Sequence, residues 1–326
     1  MNFLHRHWFD QSQSVFPKRA RMPATRKVPN VLMLTCLVGW LLLAGCNPVS
    51  RPADRFPADA TQSDTTIADD TVRKQGNLLS AFFGLDNGLP RQSNQGICQG
   101  AGNADGMPVI FAQEVEGSTL QAGDFRVVTQ SGTVGEIACV TLFPAVDMGE
   151  LRTVLLVGEF GSASDDPPVT VEIVGNLLSL DGGINFKSAQ ITVTPLPPGP
   201  TLVMAELVPP VQWQLDKKGG PRGNGSGCPA GTSQIVRVVW AGGVVKGNGA
   251  EADDVEREAY KVTLLQQDGS QRQVAPFALA DLDDGDNNHL LCLNQTGEPR
   301  SIDFPAGLLA DPNGDRNPAT SVAVGQ

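Results

Sequence analysis

The chain has little of what most catalysts and nucleic-acid binders need. Among 326 residues there are three histidines, one tyrosine and four tryptophans, and aromatics make up only 6%. No Gly-x-Ser-x-Gly nucleophile elbow occurs. No glycine-rich run is followed by Gly-Lys-Ser/Thr, so these runs are not phosphate loops. The absence of any Cys-x-x-Cys, with so few histidines, argues against a zinc or redox site. Basic residues are outnumbered 24 to 35, a net charge of -11, which argues against nucleic acid as a partner. No apolar run reaches the roughly 18 residues of a membrane span. Glycine (36) and proline (24), in contrast, are abundant. They disfavour long helices and favour short strands joined by turns. At 40% hydrophobic the chain can still bury a core.

The first 45 residues stand apart. They hold six basic residues and one acid, then an apolar run from Val31 to Ala44. A basic segment followed by a run of this length reads as a signal peptide. It closes with Leu43-Ala44-Gly45-Cys46. This resembles the lipobox of bacterial lipoproteins. The resemblance implies diacylglyceryl transfer to the Cys46 thiol, cleavage before Cys46 and a membrane partner reached through acyl chains. An ordinary secretory signal with a chance cysteine is the plainer alternative. A start at Met22 would give a leader of more usual length. Asn47 beside the lipidated cysteine implies outer-membrane sorting. Without the leader, 18 basic and 34 acidic side chains remain, a balance of -16. No polybasic patch then assists membrane binding, so the acyl chains must hold the protein.

Residues 46–76 carry several prolines, Asp, Ser and Thr and almost no apolar pattern. Such a segment cannot repay its ordering entropy, and it reads as a flexible tether. Beyond it, similar segments occur twice in the same order. Leu78-Leu79-Ser80-Ala81 matches Leu202-Val203-Met204-Ala205, and Val109-Ile110-Phe111-Ala112 matches Val238-Val239-Trp240-Ala241. Gly175-Asn176-Leu177-Leu178 likewise matches Gly307-Leu308-Leu309-Ala310. The two copies are expected at 77–200 and 201–326, divided near the proline-rich stretch 194–200. Apolar residues alternate at Phe125, Val127 and Thr129, at Val169, Val171 and Ile173, and at Tyr260, Val262 and Leu264. Period two marks half-buried strands. Glu251 to Glu258 offers one helical turn, with an acidic loop the leading expectation. The predicted fold class is therefore all-β: two tandem β-sandwiches after a signal peptide and a tether.

The first copy resembles bacterial immunoglobulin-like domains of S-layer and cell-envelope proteins. The resemblance rests on Asp105-Gly106-Met107-Pro108-Val109-Ile110-Phe111, on Thr119-Leu120 with Asp124-Phe125-Arg126-Val127, and on Gly175 to Asn185. The second copy keeps the close, Gly307 to Asn317, and departs in the middle. The family implies a fold more than an activity.

Cys98, Cys139, Cys228 and Cys292 remain once Cys36 is removed and Cys46 is lipidated. An even count in an exported chain reads as two disulfides. Four cysteines allow three pairings, and the repeat favours Cys98 with Cys139 and Cys228 with Cys292. Two acidic turns offer the close-spaced oxygens that Ca²⁺ needs: Asp281, Asp283, Asp284 and Asp286, then Asp311, Asn313 and Asp315. Neither fits an EF-hand, and solvated tight turns are the plainer reading. No other cofactor is expected. Trp213 offers a surface for a glycan or partner, and Trp240 reads as core. The leading expectation is a lipid-anchored cell-envelope protein with a structural or binding role, adhesin- or scaffold-like, with no catalytic residues. The partner, protein or glycan, is not specified. The alternative is an exported glycan-acting enzyme, which would use paired carboxylates, or its accessory module. A Ser-His-Asp arrangement would have to use His289, the sole histidine outside the leader. A third reading is a Ca²⁺-stabilised module whose acidic turns rigidify the domain junction.

Overall fold

The computed structural model describes residues 73–219 and 225–325. The leader, Cys46 and the tether up to residue 72 lie outside the described residues. Among those described, no helix is long and apolar enough to cross a membrane.

Nine strands precede residue 193: β1 (Lys74–Gln75), β2 (Leu78–Ala81), β3 (Asp105–Phe111), β4 (Phe125–Thr129), β5 (Glu136–Thr141), β6 (Thr153–Glu159), β7 (Pro168–Ile173), β8 (Ile184–Asn185) and β9 (Gln190–Thr192). One sheet has the order β2-β3-β6-β5 and the other β4-β7-β9. This is the seven-strand, four-over-three arrangement of an immunoglobulin constant-type sandwich. Strand β4 shows why the pattern works. Phe125, Val127 and Thr129 are buried while Arg126 between them is exposed and pairs with Glu172 across the sheet. Between the sheets, Phe111 meets Phe125 and Phe186 edge-on, with centroids 6.3 and 4.8 Å apart. Asp105, at the start of β3, accepts hydrogen bonds from the backbone N–H groups of Asn87 (2.7 Å) and Phe160 (2.6 Å).

Ten strands follow: β10 (Leu202–Leu207), β11 (Gln234–Trp240), β12 (Val245–Lys246), β13 (Lys261–Leu265), β14 (Gln271–Val274), β15 (Ala278–Ala280), β16 (Asn288–Leu293), β17 (Glu298–Phe304), β18 (Leu309–Ala310) and β19 (Thr320–Gly325). Antiparallel pairing gives β10-β11-β16-β15 on one side and β14-β13-β17-β19 on the other. A short parallel pairing of β10 with β19 joins them at one edge. The same strand order thus occurs twice, with one extra strand, β14, in the second part. No strand pairing links the nine strands to the ten among the described residues. Each part has its own apolar core.

The stretch expected as an acidic loop is in part a helix, α1 (Asp254–Ala259). A capping box accounts for it: the Asp253 side chain accepts from the Val255 N–H, and Glu256 reaches back to the Asp253 N–H.

Cys98 is bonded to Cys139, and Cys228 to Cys292. Both first cysteines precede the second strand of their sandwich, but their partners differ. Cys139 lies on the edge strand β5 and Cys292 on the interior strand β16. The bonds do not cross the sandwich cores. They pin the long connections before β3 and β11 onto the outer face of a sheet, each within a small satellite cluster.

Candidate functional site

The seam between the two sandwiches holds the densest set of buried charges. It is made by the β5–β6 connection of the first and by β10, β11 and the β15–β16 connection of the second. Strand β11 is buried at every position, yet it carries Arg237 in its middle. Alternation explains the placement: Val236, Val238 and Trp240 face the core, so Arg237 faces outward, onto the first sandwich. Its guanidinium donates to Glu206 Oε1 (2.8 Å) and to the Met148 carbonyl (2.6 Å). Arg152, from the first sandwich, binds the same carboxylate at 3.1 and 3.2 Å. It also donates to the carbonyls of Gly149 and Ala112, both at 3.1 Å. Burial lowers the Arg152 pKa, and Glu206 opposes that shift.

Beside this network lies a group of acids. Carboxylate oxygens of Asp147, Asp281 and Asp284 fall within 4.8 Å of one another. Glu150, fully buried beside them, accepts from the Asp147 N–H (3.1 Å). The backbone is shaped to bring these groups together. Asp281 and Asp283 have φ of 65° and 73°, a left-handed conformation that Asp tolerates better than most residues. The Asp281 N–H donates to the Ser226 carbonyl (2.7 Å), and the Ser226 N–H donates to the Leu282 carbonyl (3.2 Å). Gly225 lets the chain approach this closely, since a Cβ there would overlap Asp281 Oδ1 and Asp284 Oδ2.

Burial pushes the Asp281 carboxyl well above its ordinary range, and the neighbouring Glu150 pushes it further. The same two causes push Asp284 up to about 7. Asp286 is also raised by burial, although its oxygens accept from the Asn288 backbone N–H and side-chain amide at 2.7 Å. Among the described residues, Lys217 answers the cluster, its Nζ 2.7 Å from Asp147 Oδ2. A cavity of about 30 Å³ opens among Asp147, Glu150, Lys217, Arg237 and Asp281, with Trp213 on its wall. That is room for one or two waters or an ion, far below the several hundred Å³ of an organic-ligand pocket.

The acidic residues named from sequence therefore part company. Asp281 and Asp284 meet at the seam. Asp283 points to solvent, and Asp286 is used by Asn288. Asp311, Asn313 and Asp315 lie elsewhere, in a tight turn. Asp311 Oδ1 accepts from the N–H groups of Asn313 and Asp315, both at 2.9 Å, and the Asn313 side-chain amide reaches the Gly84 carbonyl of the first sandwich. Sequence reasoning missed Asp147, Glu150, Arg152, Glu206, Lys217 and Arg237. One of these had a signal: an arginine inside a fully apolar-looking strand needs a buried partner. His289 is buried in the core, where Tyr260 Oη lies 2.8 Å from its Nδ1 and accepts from Trp240 Nε1 at 3.0 Å. Burial lowers the His289 pKa to about 4. It is thus a neutral core acceptor, and Trp240 is core as well. Trp213 is half-buried and donates to the Val208 carbonyl (2.9 Å).

No family model matches the chain, and no curated protein matches it. Among solved structures it is similar to the N-terminal part of the bacterial S-layer protein SbsC, at 12% identity and a TM-score of 0.26, over 77% of this chain and 44% of that one. It is also similar to domains 1–6 of SbsC, at 13% identity and a TM-score of 0.26, over 77% of this chain and 26% of that one. The chain spans less than half the length of these proteins. Scores this low say nothing of what the chain does.

Proposed function

We propose that the chain is a lipid-anchored cell-envelope protein with a structural or binding role, presenting two joined β-sandwiches at the end of a tether. The observation that carries the reading is the joined pair itself. Arg152 of one sandwich and Arg237 of the other share Glu206, which sets the two units in a defined relation. A spacer or scaffold needs that geometry, and a glycan hydrolase does not. The seam cavity has the size of an ion rather than a sugar. His289, which a Ser-His-Asp arrangement would need, faces Tyr260 inside the core. Two disulfides within the folded part suit an exported protein. Lipidation at Cys46 supplies the anchor, and Asn47 supports the outer membrane as its destination.

Fractionation of cells producing the wild type and Cys46→Ser tests the anchor. The wild type is expected with membranes and the variant in the soluble fraction. A Cys46→Ser protein that stays with membranes overturns the reading.

A further inference from the structure

We infer that the seam is a divalent-cation site for Ca²⁺, completed only when both sandwiches contribute, with Asp147 from the first and Asp281 and Asp284 from the second. The donors are all carboxylate oxygens, without nitrogen or sulfur, which selects a hard cation. Oxygens sharing one Ca²⁺ at about 2.3–2.6 Å lie no more than about 5 Å apart. The oxygens of Asp147, Asp281 and Asp284 meet that condition, lying within 4.8 Å of one another.

A second observation points the same way. Asp281 is only 4% exposed, and its Oδ2 is buried without a hydrogen-bond partner. A buried carboxylate oxygen left bare is costly, and a cation would satisfy it. The charge balance asks for the same thing. Among the described residues three carboxylates converge beside Glu150, Lys217 answers one of them, and Arg237 on the cavity wall is already committed to Glu206 and the Met148 carbonyl. The cavity accommodates an ion with a water. The turn at Asp311 also buries a bare Oδ2, but its Oδ1 is occupied by two backbone N–H groups, and among the described residues it does not belong to a group of converging carboxylates.

Binding of Ca²⁺ here does not depend on lipidation, so fractionation and metal titration fail separately. The test titrates CaCl₂ into the full chain by calorimetry, with thermal unfolding measured alongside. Binding is expected with a dissociation constant on the order of 10⁻³ M or tighter, accompanied by a rise in melting temperature. Asp147→Asn and Asp281→Asn should each weaken binding at least about tenfold, while Asp311→Asn leaves it unchanged. Because the two seam variants lie on different sandwiches, either one folded is sufficient to test the site. Tb³⁺ emission excited through Trp213 should appear in the wild type and vanish in Trp213→Phe. The inference is overturned by the absence of heat and of a melting shift at about 10 mM CaCl₂, ten times the weakest constant expected. It is equally overturned by binding that survives Asp147→Asn, or by equal affinity for MgCl₂.

Discussion

Gly149 lies directly against the guanidinium of Arg237, so that a Cβ at position 149 would overlap Nη1. The glycine also has φ of +89°, which L side chains rarely adopt. Two reasons therefore require glycine at the point where the first sandwich touches the second. Gly149→Ala is expected to destabilise the chain by about 2–4 kcal/mol, combining backbone strain with displacement of a buried ion pair. Chemical denaturation would read the loss. A variant as stable as the wild type would mean that the seam yields without cost.

The shared carboxylate gives a second prediction. Glu206 answers Arg237, which is 3% exposed, and Arg152, whose side chain is 8% exposed. Glu206→Gln removes the carboxylate that two nearly buried guanidinium groups share. About 2–3 kcal/mol should be lost, a figure reduced because Glu206 itself is partly solvated. Thermal unfolding with Arg237→Met added to Glu206→Gln should recover part of it. No recovery would show that the arginines do not act through Glu206.

The disulfides predict a graded loss. They close loops of 41 and 64 residues, and the chain-entropy relation gives each a contribution of about 4 kcal/mol. Replacing Cys98 and Cys139 with serine should also free the connection before β3 from the sheet face. Proteolysis would then cut within residues 85–104 faster than in the wild type. Unchanged cleavage there would contradict the role given to this bond.

The pH dependence has a defined sign. Burial raises the Asp105 and Asp124 carboxyls from 3.8 to about 6. At these two groups the folded state therefore binds protons more readily than the unfolded state, and their contribution to stability rises as pH falls from about 7 to about 4, opposed over the same range by buried His289, whose lowered pKa favours protonation of the unfolded state. For the two together the gain is on the order of a few kcal/mol. Asp124→Asn keeps an acceptor for the Gln121 N–H and removes the titration, so its melting temperature at pH 4.5, relative to pH 7, should be lower than that of the wild type. A difference equal to that of the wild type would remove Asp124 as a cause.

The sandwiches were legible in the sequence because half-buried strands announce themselves by period two. Phe125, Val127 and Thr129, and Tyr260, Val262 and Leu264, are buried as their alternation requires. The helix at Asp254–Ala259 was readable in principle, since Asp253 and Glu256 have capping-box spacing; the density of acids obscured it. The seam was not legible. Asp147 and Glu150 sit in a loop without periodicity, and nothing local links them to Asp281. What joins them is the docking of two sheets, a tertiary fact with no sequence period. The different disulfide partners have a similar cause: Cys139 and Cys292 serve the same purpose from non-equivalent strands.

The central claim is that the two sandwiches are held in one relation by the seam. Val134 and Val255 are exposed, one on each unit. Spin labels placed there through an unnatural amino acid, leaving the disulfides intact, would give the distance distribution between the units by pulsed electron resonance. A single narrow distribution is expected for the wild type, broadening in Gly149→Ala. A distribution already broad in the wild type, and unchanged by Gly149→Ala, would contradict it.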